Sequence, residues 1–332
     1  MFLLILIILF LAILGYFFIG KAPKAEKISW GVAFSQKHSQ KLGLNWQENY
    51  LAILDDLKVK DIRIITHWDL IEKNPDQFDF EDLDWQINQA QMREVKVLLV
   101  VGLKTGSWPE CHIPNWAKEL QTQDLKEKVL NLVQKIISRY KDSAVIFAWQ
   151  VENEPFFPFG ECPQIDESFV RKEINLVKSL DALPSTFVES RPIVVTDSGE
   201  GSFWFRVASL ADIPGTTIYK KVWVKQFKFY FTHSFPPVFY WRKAQIIKKL
   251  FDKEIICTEL QTEPWGPELL YNLSLEEQEK TMDLNQFKKN IEFAKETGLK
   301  KFYLWGAEWW YWLKVKQGNS EIWDEAKLLF TP

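Results

Sequence analysis

The chain opens on a stretch with no charged side chain, Met1–Gly20, and then settles into short apolar runs separated by amphipathic segments. As a helix rising ~1.5 Å per residue, such a stretch reaches roughly 30 Å, the thickness of a bilayer core. Residues 1–20 are therefore predicted to be an N-terminal transmembrane helix, with a signal segment as the alternative. A basic linker over residues 21–28 carries Lys21, Lys24 and Lys27. Beyond it, eight apolar runs read as buried strands: Trp30–Phe34, Asp61–Thr66, Val95–Gly102, Ala144–Glu152, Arg191–Asp197, Thr216–Tyr219, Glu254–Glu259 and Lys301–Gly306. Helical patterns lie between them, at Trp46–Leu57, Leu83–Arg93, Leu125–Tyr140, Phe169–Leu180, Val238–Phe251 and Leu275–Thr297. The last begins with a capping box, Ser274 and Glu277, and ends at Gly298.

Strand followed by helix, repeated through residues 29–332, predicts an α/β protein with a single (β/α)8 barrel as one catalytic domain. An open doubly wound sheet is the alternative, weakened because no glycine-rich phosphate loop follows the first strand. One segment breaks the rhythm. Between Tyr219 and Trp241, the residues Trp223, Phe227, Phe229 and Phe231 recur at period two among several lysines. This predicts a strand or hairpin elaborating the loop after the sixth strand. It would wall a cleft, touch a membrane surface, or pack on the barrel rim.

Composition narrows the function. The 332 residues are 47% hydrophobic, enough for one large core, and the net charge of −3 gives no electrostatic footprint for nucleic acid. Sixteen Trp, 25 Phe and 9 Tyr supply rings able to stack on sugars, although core packing accounts for most of them. Three cysteines are too few for a disulfide framework. Cys257 sits in an apolar run as a buried thiol, while Cys111 and Cys162 fall in loops where an oxidising compartment would let them pair. Four scattered histidines lack ligand spacing, so no metal site and no cofactor are expected; His67, His112 and His233 read as ordinary loop residues.

In a barrel, catalytic groups come from the C-terminal ends of strands. The acids placed there are Glu152 and Glu154 after strand four, Asp197 after strand five, Glu259 after strand seven and Glu308 after strand eight. Glu154 and Glu259 are three βα units apart and would face one another across the mouth. Two facing carboxyls suit glycoside hydrolysis, one protonating the leaving oxygen and the other attacking the anomeric carbon.

Trp149-Gln150-Val151-Glu152-Asn153-Glu154-Pro155 resembles the strand-four signature of clan A retaining glycoside hydrolases, the (β/α)8 enzymes that include cellulase-like family 5 and the family 39 and 42 types. Ile255–Glu259 looks like their strand-seven segment, and Trp68–Leu83 looks like their loop after strand two. The resemblance runs from about Trp30 to Trp312 and implies a retaining glycosidase with Glu154 as acid/base and Glu259 as nucleophile. It further implies that Asn153 bonds the sugar 2-hydroxyl, Arg63 orients the nucleophile, Tyr219 touches it and Trp305 floors a sugar subsite. Strand three departs, reading Gly102-Leu103-Lys104-Thr105-Gly106 where many family 5 members carry histidine, so no contact is assigned there.

Competing readings stand beside these. Glu263, also before a proline, rivals Glu259; Glu308, Trp309, Trp310 and Trp312 either line the cleft or pack the rim. A catalytically silent carbohydrate-binding barrel at the cell surface and a transglycosylase are the alternative functions. The expected partners are an oligo- or polysaccharide substrate and, through residues 1–20, a membrane. Sugar chemistry puts the domain outside the cytoplasm, anchored or secreted, whereas the lysines after the apolar stretch favour the cytoplasmic side.

Overall fold

The computed structural model describes residues 2–181 and 190–331; Met1 and Pro332, at the bounds of the predicted anchor and catalytic domain, lie outside them. Among the described residues there are ten strands: β1 (Ser29–Phe34), β2 (Asp61–Ile65), β3 (Lys96–Val101), β4 (Ile146–Val151), β5 (Ile193–Asp197), β6 (Ile213–Ile218), β7 (Lys221–Val224), β8 (Phe229–Thr232), β9 (Ile256–Gln261) and β10 (Lys301–Trp305). All but β7 and β8 close into a parallel barrel in the order β1-β10-β9-β6-β5-β4-β3-β2. Each of the eight predicted runs thus holds a barrel strand, with shifted ends. The sixth starts at Ile213, and the seventh continues past Glu259 to Gln261. The aromatic segment after β6 forms the β7–β8 antiparallel hairpin, in which Trp223 packs on Tyr230 with ring centroids 4.9 Å apart, and Phe227 at the turn is 74% exposed.

The strands are apolar on both faces because helices cover the outside and a packed interior fills the inside. Leu98, Ala148, Val194, Ile256 and Tyr303, one from each of five strands, form the apolar floor inside the barrel. Outward residues such as Leu99, Val101, Trp149 and Val151 join a continuous layer with Val129, Val133 and Ile136 of the Thr122–Tyr140 helix. Eleven of the 16 tryptophans pack in or against this core, as expected, and Trp68, Trp149, Trp204, Trp310 and Trp323 are fully buried.

Two predicted elements are corrected. The single Leu275–Thr297 helix is two, Leu275–Glu279 and Leu284–Glu296. Asp283 adopts an extended backbone between them, and its side chain accepts from the Gln286 amide, starting a second helix where periodicity alone continued the first. Ser274 does cap the first, accepting from the Glu277 amide, and Gly298 follows the second with φ +71°.

The N-terminal segment is helical, but over Phe2–Phe18 only. Its 17 residues span about 25 Å, short of a ~30 Å bilayer core. Among the described residues no helix is long and apolar enough to cross a membrane. The helix ends at Phe18, before Gly20 with its φ of +113°, and the transmembrane helix predicted for residues 1–20 is not supported. The end of this helix packs on the barrel. Phe17 and Phe18 meet Phe239 at 5.8 and 5.6 Å between ring centroids, and Arg242 donates to the carbonyls of Gly15 and Ile19.

Candidate active site

Arg63 is the hub of the barrel mouth. It points inward from β2, is fully buried, and distributes three donors among three partners. Nε donates to Gln150 Oε1 at 2.8 Å, Nη1 to Glu259 Oε1 at 2.9 Å and Nη2 to Asn153 Oδ1 at 3.0 Å. A buried guanidinium needs partners of this kind, and these tie β2 to β4, β9 and the residues just beyond β4.

Glu259 reaches the interior because β9 carries a bulge. Thr216 and Thr217 of β6 pair with Cys257 and Glu259, so Thr258 is the extra residue. Strict alternation from the inward Ile256 would turn Glu259 toward the helices. The extra residue re-aims it, and Cys257 and Leu260, three apart, both face the outer layer. The second oxygen of Glu259 accepts from the Tyr219 hydroxyl at 2.8 Å. Burial and the Glu259 charge hold that hydroxyl well above its usual range, so it remains a donor.

Glu154 lies three residues past β4, at the end of a distorted turn in which Glu152 and Glu154 take positive φ values of 62° and 44°. Non-glycine residues are strained there, and such strain concentrates at functional sites. The turn is braced. Glu152 accepts from the amides of Leu103 and Lys104 at 2.7 and 2.6 Å, and Lys104 Nζ donates to the carbonyls of Glu154 and Phe157. A Cβ on Gly102, at φ +121°, would sit 2.4 Å from Glu152 Oε1, so only glycine fits. Thr217 Oγ1 donates to Glu154 Oε1 at 2.8 Å. Burial, with the Glu259 charge nearby, pushes the Glu154 carboxyl up to about 8.

All six sequence-predicted residues gather at this end of the barrel. Arg63, Asn153, Tyr219 and Glu259 form one network, Thr196 links it from Asn153 Oδ1 to the Glu154 amide, and Trp305 ends β10 beside it. Trp305 Nε1 donates to Glu263 Oε1 at 2.7 Å, and His38 Nε2 lies 2.9 Å from Glu263 Oε2. The rival Glu263 is thus held by Trp305 and His38, apart from the Arg63 and Tyr219 contacts that engage Glu259. Glu308 accepts from the Ser35 amide at 2.6 Å, and burial pushes it up to about 7. Trp309 and Trp310 pack the rim, donating to Gln278 Oε1 and the Thr262 carbonyl. His67 and His112 are buried with rings 4.5 Å apart; burial pushes His67 well down and His112 to about 4, so both are neutral near pH 7. Among the described residues no group of three His, Cys, Asp or Glu side chains could hold a metal ion.

Sequence reasoning missed the loop after β3. Cys111 and Cys162 are disulfide-bonded with Cα atoms 5.3 Å apart, joining that loop to the one after β4, while Cys257 is a buried free thiol. Beside Cys111, Glu110 accepts from Asn153 Nδ2 at 3.3 Å, adding a third carboxyl to the site. Burial and then the Glu259 charge push it up to about 7. The only signal available was an acid adjacent to a bridging cysteine.

Residues 24–174, somewhat less than half the chain, match the sequence profile of glycosyl hydrolase family 10. That stretch includes Glu154 and ends before Glu259. Joined with the closed parallel barrel, the match supports a clan A (β/α)8 glycoside hydrolase, a glycosidase hydrolysing O-glycosyl compounds. The matching profile is family 10 rather than the family 5, 39 or 42 types that the strand-four signature resembles. Solved structures share the fold. An endo-β-1,4-xylanase of family 10 from Gloeophyllum trabeum is similar with TM-score 0.57 and 15% identity, covering 94% of this chain and 98% of that one. GH5_18 from Bifidobacterium longum subsp. longum gives 0.58 and 12%, covering 84% and 70%. A β-galactosidase from the haloarchaeon Halorubrum lacusprofundi gives 0.53 and 13%, covering 84% and 52%. No curated protein matches the sequence.

Proposed function

We propose that the protein is a retaining glycosidase in which Glu259 attacks the anomeric carbon and Glu154 serves as acid and then base. One observation carries this reading: both oxygens of Glu259 are engaged by Arg63 and Tyr219, while Glu154, held by Thr217 directly opposite Glu259, is pushed up to about 8. A carboxylate aimed by two donors is a positioned nucleophile, and a neighbour that keeps its proton near neutral pH is a general acid.

The chemistry follows in two displacements. Glu154 gives its proton to the glycosidic oxygen as Glu259 Oε bonds the anomeric carbon and the aglycone leaves. Glu154, now ionised, takes a proton from water, whose oxygen displaces Glu259 and frees the sugar. Tyr219 and Arg63 hold Glu259 throughout, Asn153 bonds the glycone, and Trp305 offers it a stacking face. The glycan partner is an oligo- or polysaccharide. The domain works in an oxidising, extracytoplasmic compartment, a reading supported by the Cys111–Cys162 bridge.

The test is turnover of aryl glycosides by Glu154→Ala and Glu259→Ala with and without azide. Rescue of Glu154→Ala as a glycosyl azide of retained configuration, and of Glu259→Ala with inversion, is the expected pair. Wild-type-like turnover by either variant without azide would refute the assignment.

A further inference from the structure

Glu110 stands out among the groups the hydrolytic steps leave unused. It is only 7% exposed, and its backbone takes φ +76°, a strained position for a non-glycine residue. Its amide donates to the Ser107 carbonyl at 2.6 Å, its carbonyl accepts from the Thr105 amide at 3.1 Å, and the next residue is bridged to Cys162. From behind, Gly160 packs so closely that a Cβ there would lie 2.5 Å from Glu110 Cγ. The side chain is thus confined to the direction of Asn153. Oε2 accepts from Asn153 Nδ2, while Oε1 has no hydrogen-bond partner among the described residues.

Among the described residues no cation pairs directly with this carboxyl, and the charges of Lys104 and Arg63 reach it only from a distance. Arg63 is committed to Gln150, Glu259 and Asn153, and Lys104 Nζ to two backbone carbonyls. Asn153 Oδ1 already accepts from Arg63 Nη2 and from Thr196 Oγ1, which leaves Nδ2 facing Glu110. A methyl carbon placed on Gly106 would touch Asn153 Nδ2, Arg63 Nη2 and Glu259 Oε1 at 3.4, 3.5 and 3.6 Å, so these atoms converge on one small space. The anomeric carbon that Glu259 attacks has a single carbon neighbour in the sugar ring, C2. A substituent on C2 is therefore the sugar group nearest to the Asn153–Glu110 pair.

We propose that Glu110 is a specificity-determining residue that selects glycones bearing a protonated amine on C2, that is, 2-amino-2-deoxy sugars. The ammonium supplies the missing counter-ion to a desolvated carboxylate, a charge-assisted hydrogen bond stronger than one to a neutral hydroxyl. This inference rests on Glu259 being the attacking group, which locates C2.

Binding tests it without requiring turnover. Glucosamine, galactosamine and mannosamine are titrated calorimetrically against glucose, galactose and mannose at pH 7.5, using the Glu154→Gln protein. At least one amino sugar is expected to bind about tenfold tighter than its hydroxyl counterpart. Glu110→Gln should bring that ratio near one. Lowering the pH to 5.5 should also erode the ratio in the protein with Glu110 intact, as that carboxyl takes up a proton; this arm needs no second substitution. Equal binding within every pair, absence of binding by all amino sugars, or a ratio unchanged in Glu110→Gln would overturn the proposal. Failure of the catalytic reading shows differently, as turnover by Glu154→Gln with the binding ratio intact.

Discussion

Thr217 and Glu259 are direct partners across β6 and β9, and the hydroxyl of Thr217 holds Glu154. One residue thus places the acid carboxyl beside the strand that carries the nucleophile. Its hydrogen bond favours the ionised form of Glu154 and so works against burial, which favours the protonated one. Thr217→Val should therefore raise the Glu154 pKa. The alkaline limb of kcat/KM is expected to move up by roughly half a unit to one unit, the equivalent of a ~1 kcal/mol hydrogen bond. An unmoved limb would show that Thr217 does not set the proton affinity of Glu154.

The wild-type pH profile follows from the same carboxyl. The first step needs Glu154 protonated, and its pKa is about 8. Activity should persist through neutral pH and fall as pH rises through about 8. An aryl glycoside whose leaving group needs no proton should lose that limb. A limb near pH 5 on an ordinary glycoside would argue that another group is the acid.

Removing Arg63 should damage stability and activity together. Arg63→Met leaves Glu259 buried without its cation, which costs on the order of 3–5 kcal/mol. Turnover should fall by about 100-fold or more, since the nucleophile loses its aim. In the double variant Arg63→Met/Glu259→Gln most of the stability should return without the activity. Thermal unfolding of the three proteins separates the two effects.

Glu173, behind the active-site turn, gives a linkage prediction. Burial and the adjacent Glu152 push its carboxyl well above the usual range. The unfolded chain loses that proton near pH 4–5, while the folded protein retains it, so this group withdraws stability as pH rises above that point. Glu173→Gln, neutral and similar in shape, should raise Tm by a few degrees at pH 7–8 and leave it nearly unchanged near pH 4. A constant difference across pH would mean that Glu173 does not titrate between the two states.

The Cys111–Cys162 bridge closes a segment with a sequence separation of 51, for which the loop-entropy estimate is about 4 kcal/mol. Reduction, or Cys111→Ser with Cys162→Ser, should lower Tm by roughly 6 °C. The wild-type and doubly substituted proteins should unfold alike under strong reductant.

The sequence was most readable where local pattern and fold agree. Apolar runs bounded by helical periodicity sufficed for all eight barrel strands, because a parallel strand covered on both faces needs an unbroken run. Glu154 was legible because Asn153-Glu154-Pro155 interrupts such a run. Glu259 was legible as an acid at the end of the seventh run, but its inward aim was not: in strict alternation it points outward, and the Thr258 bulge that turns it inward leaves no mark in composition. Glu110 was invisible for a related reason. Its place depends on a bridge to a residue after the next strand and on the close approach of Gly160, both of which are long-range. The break at Asp283 was hidden by apolar periodicity on both sides, and the apolar start of the chain is helical but shorter than its charge-free length suggested.

Arg242 clasps the last turn of the Phe2–Phe18 helix, donating to two carbonyls and lying over the Tyr16 ring at 4.6 Å. With Phe17 and Phe18 seated on Phe239, the helix leaves the barrel as a stiff handle rather than on a slack leash. A probe fixed to this helix would therefore turn with the barrel rather than independently of it.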